Sequence, residues 1–357
     1  MGLNTITMTK VQNEVKKPST VLLDTLGQLH HEVGKGLLDK AYTPNQLSLQ
    51  KRSRSKAISD AFIFPLIDVE GSTMTKSYWQ TWRCTRIILQ EGNKLSARYC
   101  DQRFCMVCNR IRTANLMRGY MPTIDGMAEP YLITLTHRTV TGRYLASTIK
   151  QDREVFNLCR RALNHQGIPT NGLRKTEVEV EEDGRFHAHI HALIDGKVAA
   201  EAMVEQWLKK HPQYTVAAAQ DVRPLTDPHE LFKYFTKMIT KGKEGVVSFN
   251  PKQMDKVFTA MKGKRVFQPF GNVKKHVEED IETNDQTTLD WRTSSEEEVE
   301  IWHFENAANS TDWYNAYGEP LAEVNSHIMD DKTLEYIEQI KDGSKSKDWK
   351  TEGSKPS

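Results

Sequence analysis

Residues 187–191 read His-Ala-His-Ile-His. Side chains of a strand alternate between faces, so His187, His189 and His191 share one face while Ala188 and Ile190 take the other. Three imidazoles on one sheet face burden folding unless an ion coordinates them or partners bond them. A metal site is therefore expected, with a purely structural histidine cluster as the alternative. Two imidazoles leave a divalent ion short of ligands, and carboxylates stand two apart upstream at Glu177, Glu179 and Glu181. Hairpin register decides whether they join. A two-residue turn at Asp183-Gly184 would place the glutamates on the opposite face. A three-residue loop over 183–185 sets Glu177 against His191 and Glu179 against His189, and this longer loop is the expectation. Exposed, solvating glutamates are the alternative. The mixed nitrogen and oxygen set suits Mg²⁺ or Mn²⁺ working on phosphate, although affinity order alone favours Zn²⁺.

A second constellation lies downstream. Glu230, Tyr234, Lys237 and Lys241 fall at helical spacing and form one stripe. Leu231, Phe235, Met238 and Ile239 form the neighbouring apolar stripe, which should dock on a sheet. A tyrosine hydroxyl flanked by lysine and glutamate beside a metal points to covalent catalysis at phosphorus. Taken alone, such a tyrosine is a core-edge or surface residue, so this reading depends on the histidine strand.

A third group is made of cysteines. Cys100-x4-Cys105-x2-Cys108, with Cys84 upstream, is a four-sulfur set suited to structural Zn²⁺. Arg98, Arg103, Arg110, Arg112 and Arg118 surround it and suit phosphate contacts, or are merely solvated. Cys159 sits on an apolar helical stripe and reads as core.

The elements that must hold these groups follow from period. Residues 131–136 alternate and read as a strand, 147–165 as a helix, and 174–181 and 185–194 as the two arms of a hairpin. Residues 197–210 read as a helix, 214–222 as a strand and 227–241 as a helix. The string is βαββαβ plus one more helix. The expected fold class is α+β: a ferredoxin-like, RRM-like antiparallel sheet with an extra C-terminal helix, preceded by a cysteine-rich zinc-binding segment. Five segments result: an N-terminal accessory arm (1–75), a cysteine-rich zinc segment (76–125), a catalytic domain (126–245), a basic extension (246–275) and an acidic, largely disordered tail (276–357).

Charge supports that division. The chain of 357 residues has 49 Lys+Arg against 47 Asp+Glu, a net of only +2. Residues 1–275 hold 42 basic against 26 acidic side chains, a net of +16, and residues 276–357 hold 7 against 21, a net of −14. A basic body with an acidic tail is a nucleic-acid pattern. No apolar run approaches the length of a membrane helix, and the N-terminus lacks an export leader, so a cytoplasmic protein without a membrane partner is expected. Clustered cysteines agree with a reducing compartment.

The motifs carry a family resemblance. Thr134-Leu135-Thr136, HAHIHALI (187–194) and ELFKYFTK (230–237) resemble, in order and spacing, the three motifs of the HUH endonuclease superfamily. More narrowly, they are similar to plasmid rolling-circle replication initiators with one catalytic tyrosine and a glutamate four residues before it. The resemblance covers about residues 80–245. It implies that His189 and His191 are the metal pair, Glu177 the third ligand, and His187 a supporting or alternative one. It implies Tyr234 as nucleophile, Glu230 as the residue that later activates water, and Lys237 as the lysine that follows the tyrosine. RFCMVCNRIR (103–112) is similar to a cysteine-rich RFCPxCNxRR stretch of the same initiators, with Met106 in place of proline. Implied partners are single-stranded or hairpin origin DNA and a host helicase and polymerase; monomer and homodimer are both left open. The rivals are a rolling-circle transposase or relaxase of the same superfamily, and a non-catalytic, zinc-stabilised DNA-binding regulator.

Overall fold

From the N-terminal side the elements run α1 (Pro44–Ile67), α2 (Thr75–Arg83), β1 (Ile87–Glu91), β2 (Lys94–Ala97) and α3 (Met106–Asp125). Then come β3 (Pro130–Thr136), α4 (Gly142–His165), β4 (Gly172–Val180), β5 (Phe186–Asp195), α5 (Lys197–Lys210) and β6 (Asp221–Pro224). The last are α6 (Pro251–Met261), β7 (Phe267–Phe270), β8 (Val299–Ala307) and β9 (Ser310–Tyr314). This computed structural model describes residues 44–91, 94–181, 183–211, 214–227, 250–276, 299–307, 310–323, 337–338 and 340. The described residues form a mixed α+β structure with two antiparallel sheets, ordered β2-β1-β8-β9 and β6-β3-β5-β4-β7.

Alternation builds the larger sheet. Even-numbered residues of β5 (Ile190, Ala192, Ile194) and odd-numbered residues of β3 (Ile133, Leu135) face α4 and α5, packing with Phe156, Cys159, Leu163, Met203 and Trp207. Cys159 is thus core, as its stripe implies. Farther along the same face, α6 sets Val257 and Ala260 against Leu145, Ile149, Phe186 and Ala188. On the other face α3 covers one end only, where Tyr120 and Ile124 meet Leu132, Leu173 and Leu193. Each fully buried large side chain of this kind contributes about 1.5–3 kcal/mol of transfer free energy.

The hairpin between β4 and β5 differs from expectation. Gly184 takes a positive φ of 78° and its N–H donates to Glu181 O at 2.9 Å, while Glu181 N–H donates to Arg185 O at 2.8 Å. The loop is the three residues 182–184, one earlier than expected. Asp183 fixes it by accepting from both the backbone and the side chain of Arg185. Glu177 therefore pairs with His189, Glu179 with His187 and Lys175 with His191. The register shifts by two, so the glutamates stay on the histidine face.

One further expectation is corrected. The strand expected over 214–222 is shorter and later: Ala217–Ala219 make a 3₁₀ turn, and β6 begins only at Asp221. There the Gln220 side chain takes the place of a strand, accepting from Thr136 N–H at 2.9 Å and donating to Thr136 O at 3.2 Å. Within the acidic segment, residues 299–307 and 310–314 form β8 and β9. Their Trp302, Phe304 and Trp313 share a core with Ile58, Phe62 and Leu66 of α1, so these acidic residues are held by their interleaved aromatics. The basic residues 51–56 of the N-terminal segment lie within α1. Lys56 is fully buried, bonded to Asp60 at 2.7 Å and to the Trp82 carbonyl. Residues 250–275 of the basic stretch belong to the fold: α6 starts at an Asn250 cap followed by Pro251, and β7 pairs with β4 as the fifth strand.

Candidate metal centres

The cysteine centre is assembled by three element ends. Cys84 follows the last turn of α2, Cys100 follows β2, and Cys105 and Cys108 occupy the N-cap and first turn of α3. A helix N-terminus carries partial positive charge and favours thiolates. One sulfur from each of the four lies within 4.8 Å of the others, and Cys108 Sγ stands 3.5 Å from Cys84 Sγ and 3.7 Å from Cys100 Sγ. Tetrahedral zinc with Zn–S bonds of ~2.3 Å requires sulfurs about 3.8 Å apart, so the cluster fits a structural metal such as zinc. Thr81 Oγ1, 3.8 Å from Cys100 Sγ, and Ser59 Oγ, 3.9 Å from Cys105 Sγ, support it from outside. Crowding divides the protons unevenly. Hydrogen bonds from Cys105, Cys108 and Cys84 push Cys100 toward thiolate, whereas burial pushes the Cys105 thiol up.

The histidine centre lies on the face of β5 that α3 leaves uncovered beyond Leu193. His189 Nε2 and His191 Nε2 each stand 3.2 Å from Glu177 Oε2, and all three residues are buried. The donor atoms converge within 4.8 Å. Burial alone would raise the Glu177 pKa, but the Lys175 ammonium and the hydrogen bonds from His189 and His191 hold it well below the usual carboxylate range. Burial lowers the His191 pKa and favours the neutral ring that a ligand must be. Two buried imidazoles and a carboxylate kept ionised are a donor set that fits a divalent cation.

β3 orients these rings. Thr134 Oγ1 lies 3.0 Å from His191 Nδ1, and Thr136 Oγ1 is bonded to His187 Nε2. With Thr134 on Nδ1, Nε2 is the ring nitrogen that His191 turns toward Glu177. His187 sits outside the inner triad, with Nδ1 3.4 Å from Glu181 Oε1. It belongs instead to a neighbouring group with Glu179 and His189.

Sequence reasoning missed Lys175, which is bonded to Glu177 and buried at the centre. Its signal was available, since a residue two before Glu177 in a strand shares its face. It also missed a buried pair at the end of β3, where His137 Nε2 meets Asp152 Oδ2 at 3.0 Å. Tyr234, Glu230, Lys237 and Lys241 lie outside the described residues. No protein-family model, curated protein or solved structure matches this chain.

Proposed function

We propose that this chain is a plasmid rolling-circle replication initiator of the HUH endonuclease type: a metal-dependent DNA nickase and strand transferase. The observation that carries the reading is the convergence of Glu177, His189 and His191 on one sheet face, with Thr134 of β3 bonded to His191. Two features support it. The strand order β6-β3-β5-β4, with α4 and α5 in the connections, is the order a ferredoxin-like βαββαβ sheet takes. The tyrosine motif follows the histidines at the spacing that the resemblance requires.

His189, His191 and Glu177 would hold Mg²⁺ or Mn²⁺, which when bound polarises a phosphodiester oxygen as a Lewis acid. The Tyr234 hydroxyl attacks the phosphorus of origin DNA presented as a single strand or hairpin. The 3′-oxygen leaves, giving a 5′-phosphotyrosine and a free 3′-OH that a host polymerase extends behind a host helicase. Lys237 balances charge on the phosphoryl oxygens. At termination Glu230 takes a proton from water for the second cut, and strand transfer closes the displaced circle. Residues 233–275, with 11 basic against 2 acidic side chains, grip the DNA backbone. The cysteine centre would hold structural Zn²⁺.

The test is incubation with origin-like single-stranded DNA and Mn²⁺, followed by denaturing electrophoresis. A covalent protein–DNA adduct is expected from wild type and none from Tyr234→Phe. Absence of the adduct in wild type, or its persistence in Tyr234→Phe, overturns the mechanism and leaves the DNA-binding regulator.

A further inference from the structure

The strand pair presents its metal-binding chemistry twice. Glu179 stands opposite His187 as Glu177 stands opposite His189, one period-two step along the ladder. Donor atoms of Glu179, His187 and His189 lie within 4.8 Å of one another, as do those of Glu177, His189 and His191. His189 is common to both sets. Nothing in the nicking mechanism uses Glu179 or His187.

The threonines of β3 prepare the two sets in opposite senses. Thr134 engages Nδ1 of His191 and so leaves Nε2 toward the inner set. Thr136 engages Nε2 of His187 and leaves Nδ1 toward the outer carboxylates. Each threonine occupies one ring nitrogen, so the opposite nitrogen is the one turned toward its set. The surroundings differ as well. The inner carboxylate shares its site with the buried Lys175 ammonium, which repels a dication. The outer set adds a second carboxylate, Glu181, whose Oε1 is 3.4 Å from His187 Nδ1, and it is the more exposed of the two.

We propose that Glu179, His187 and His189 form a second divalent-cation position, exclusive with the inner one because His189 serves both. The strand pair then holds one ion, in either of two places a ladder step apart. The outer place is richer in oxygen donors and suits Mn²⁺ or Mg²⁺, whereas the two imidazoles and one carboxylate of the inner place suit a softer ion as well.

This inference deepens the metal site of the proposed function, but it is read by metal binding alone, without DNA. The experiment titrates Mn²⁺ into zinc-loaded, full-length protein and counts bound ions by electron paramagnetic resonance. Wild type should bind one ion. His191→Ala and Glu177→Gln, each lacking only an inner ligand, should still bind one. Adding His187→Ala to either should remove it, and His189→Ala alone should abolish binding. Loss of all binding in both single inner variants, with the circular dichroism spectrum of wild type retained, overturns the outer position. Two ions bound to wild type overturn the exclusivity. A protein that passes this test yet forms no DNA adduct would refute the nuclease reading and leave this one intact.

Discussion

The cysteine and histidine centres place comparable donor chemistry on very different supports. Four sulfurs close around one point where two helix ends and a strand end meet, leaving no position for a further ligand. Among the described residues, three donors on the flat of a sheet leave about half of an octahedral ion's coordination sphere open. Closed sets serve structure and open sets serve chemistry. The difference lies in the supporting elements. Element ends can converge from several directions, whereas a sheet face presents its side chains from one side only. The smaller sheet also needs its anchor more, because its core joins residues as far apart as Ile58 and Trp313.

That contrast can be broken most forcefully at the cysteines. Removing the metal with a strong chelator, or replacing Cys105 with Ser, is expected to unfold the region around α2, β1 and the start of α3. A large loss of ellipticity and a shift of tryptophan fluorescence would report it, since Trp302 and Trp313 lie in the adjoining core. A chelated protein with unchanged spectra would remove the cysteine centre's structural role. Chelation should leave the larger sheet folded.

Next in size is the aromatic core that the acidic segment supplies. Trp313 is fully buried and its Nε1–H donates to Thr85 O at 2.7 Å, so Trp313→Ala should cost about 3–5 kcal/mol in urea denaturation. Truncation at residue 275 should destabilise at least as much, because it removes β8 and β9 together. A truncated protein as stable as the full chain would refute this packing.

At the histidine centre the expected effects act on affinity rather than on folding. In a His187→Ala protein, which keeps only the inner position, Thr134→Val should weaken Mn²⁺ binding roughly 10–100-fold by releasing His191 Nδ1, and Thr134→Ser should restore it. Calorimetric titration decides this, and equal weakening by Ser and Val would assign Thr134 to packing alone.

The smallest effect is a pH dependence at the buried pair beside that centre. Burial would lower the His137 pKa, but its hydrogen bond to Asp152 raises it above the ordinary 6.5. A raised folded-state pKa stabilises fully below the unfolded value, and that contribution disappears as pH rises through the folded one. Melting temperature should therefore fall as pH rises from about 6.5 past the His137 pKa. His137→Gln should flatten the decline, and an identical slope in the variant would sever the link to this pair.

Much of the histidine centre was legible because period two is rigid: once 187–191 is a strand, the three rings must share a face. The thiol cluster was legible from spacing for the same reason, since two cysteines three apart at a helix start are always neighbours. Register was not legible. Whether the loop spans 182–184 or 183–185 depends on how Asp183 bonds Arg185, a difference of one residue that moves every cross-strand partner by two. The strands at 299–307 and 310–314 were hidden by composition, because charge dominates residues 276–357 while only a few aromatics do the packing. The 3₁₀ turn at 217–219 was hidden because a glutamine side chain stood in for the strand.

By itself, the sequence determined the types and phases of the groups that matter: three imidazoles and three carboxylates in step, and four thiols at ligand spacing. Those are local properties of chain geometry. Only the tertiary structure decided which carboxylate meets which imidazole, that Lys175 joins them, that Thr134 and Thr136 hold the rings, and that the acidic segment completes a sheet begun more than two hundred residues earlier. Each of these is a contact between segments distant in sequence. Such contacts are selected by the packing of the whole core, and no local pattern encodes them.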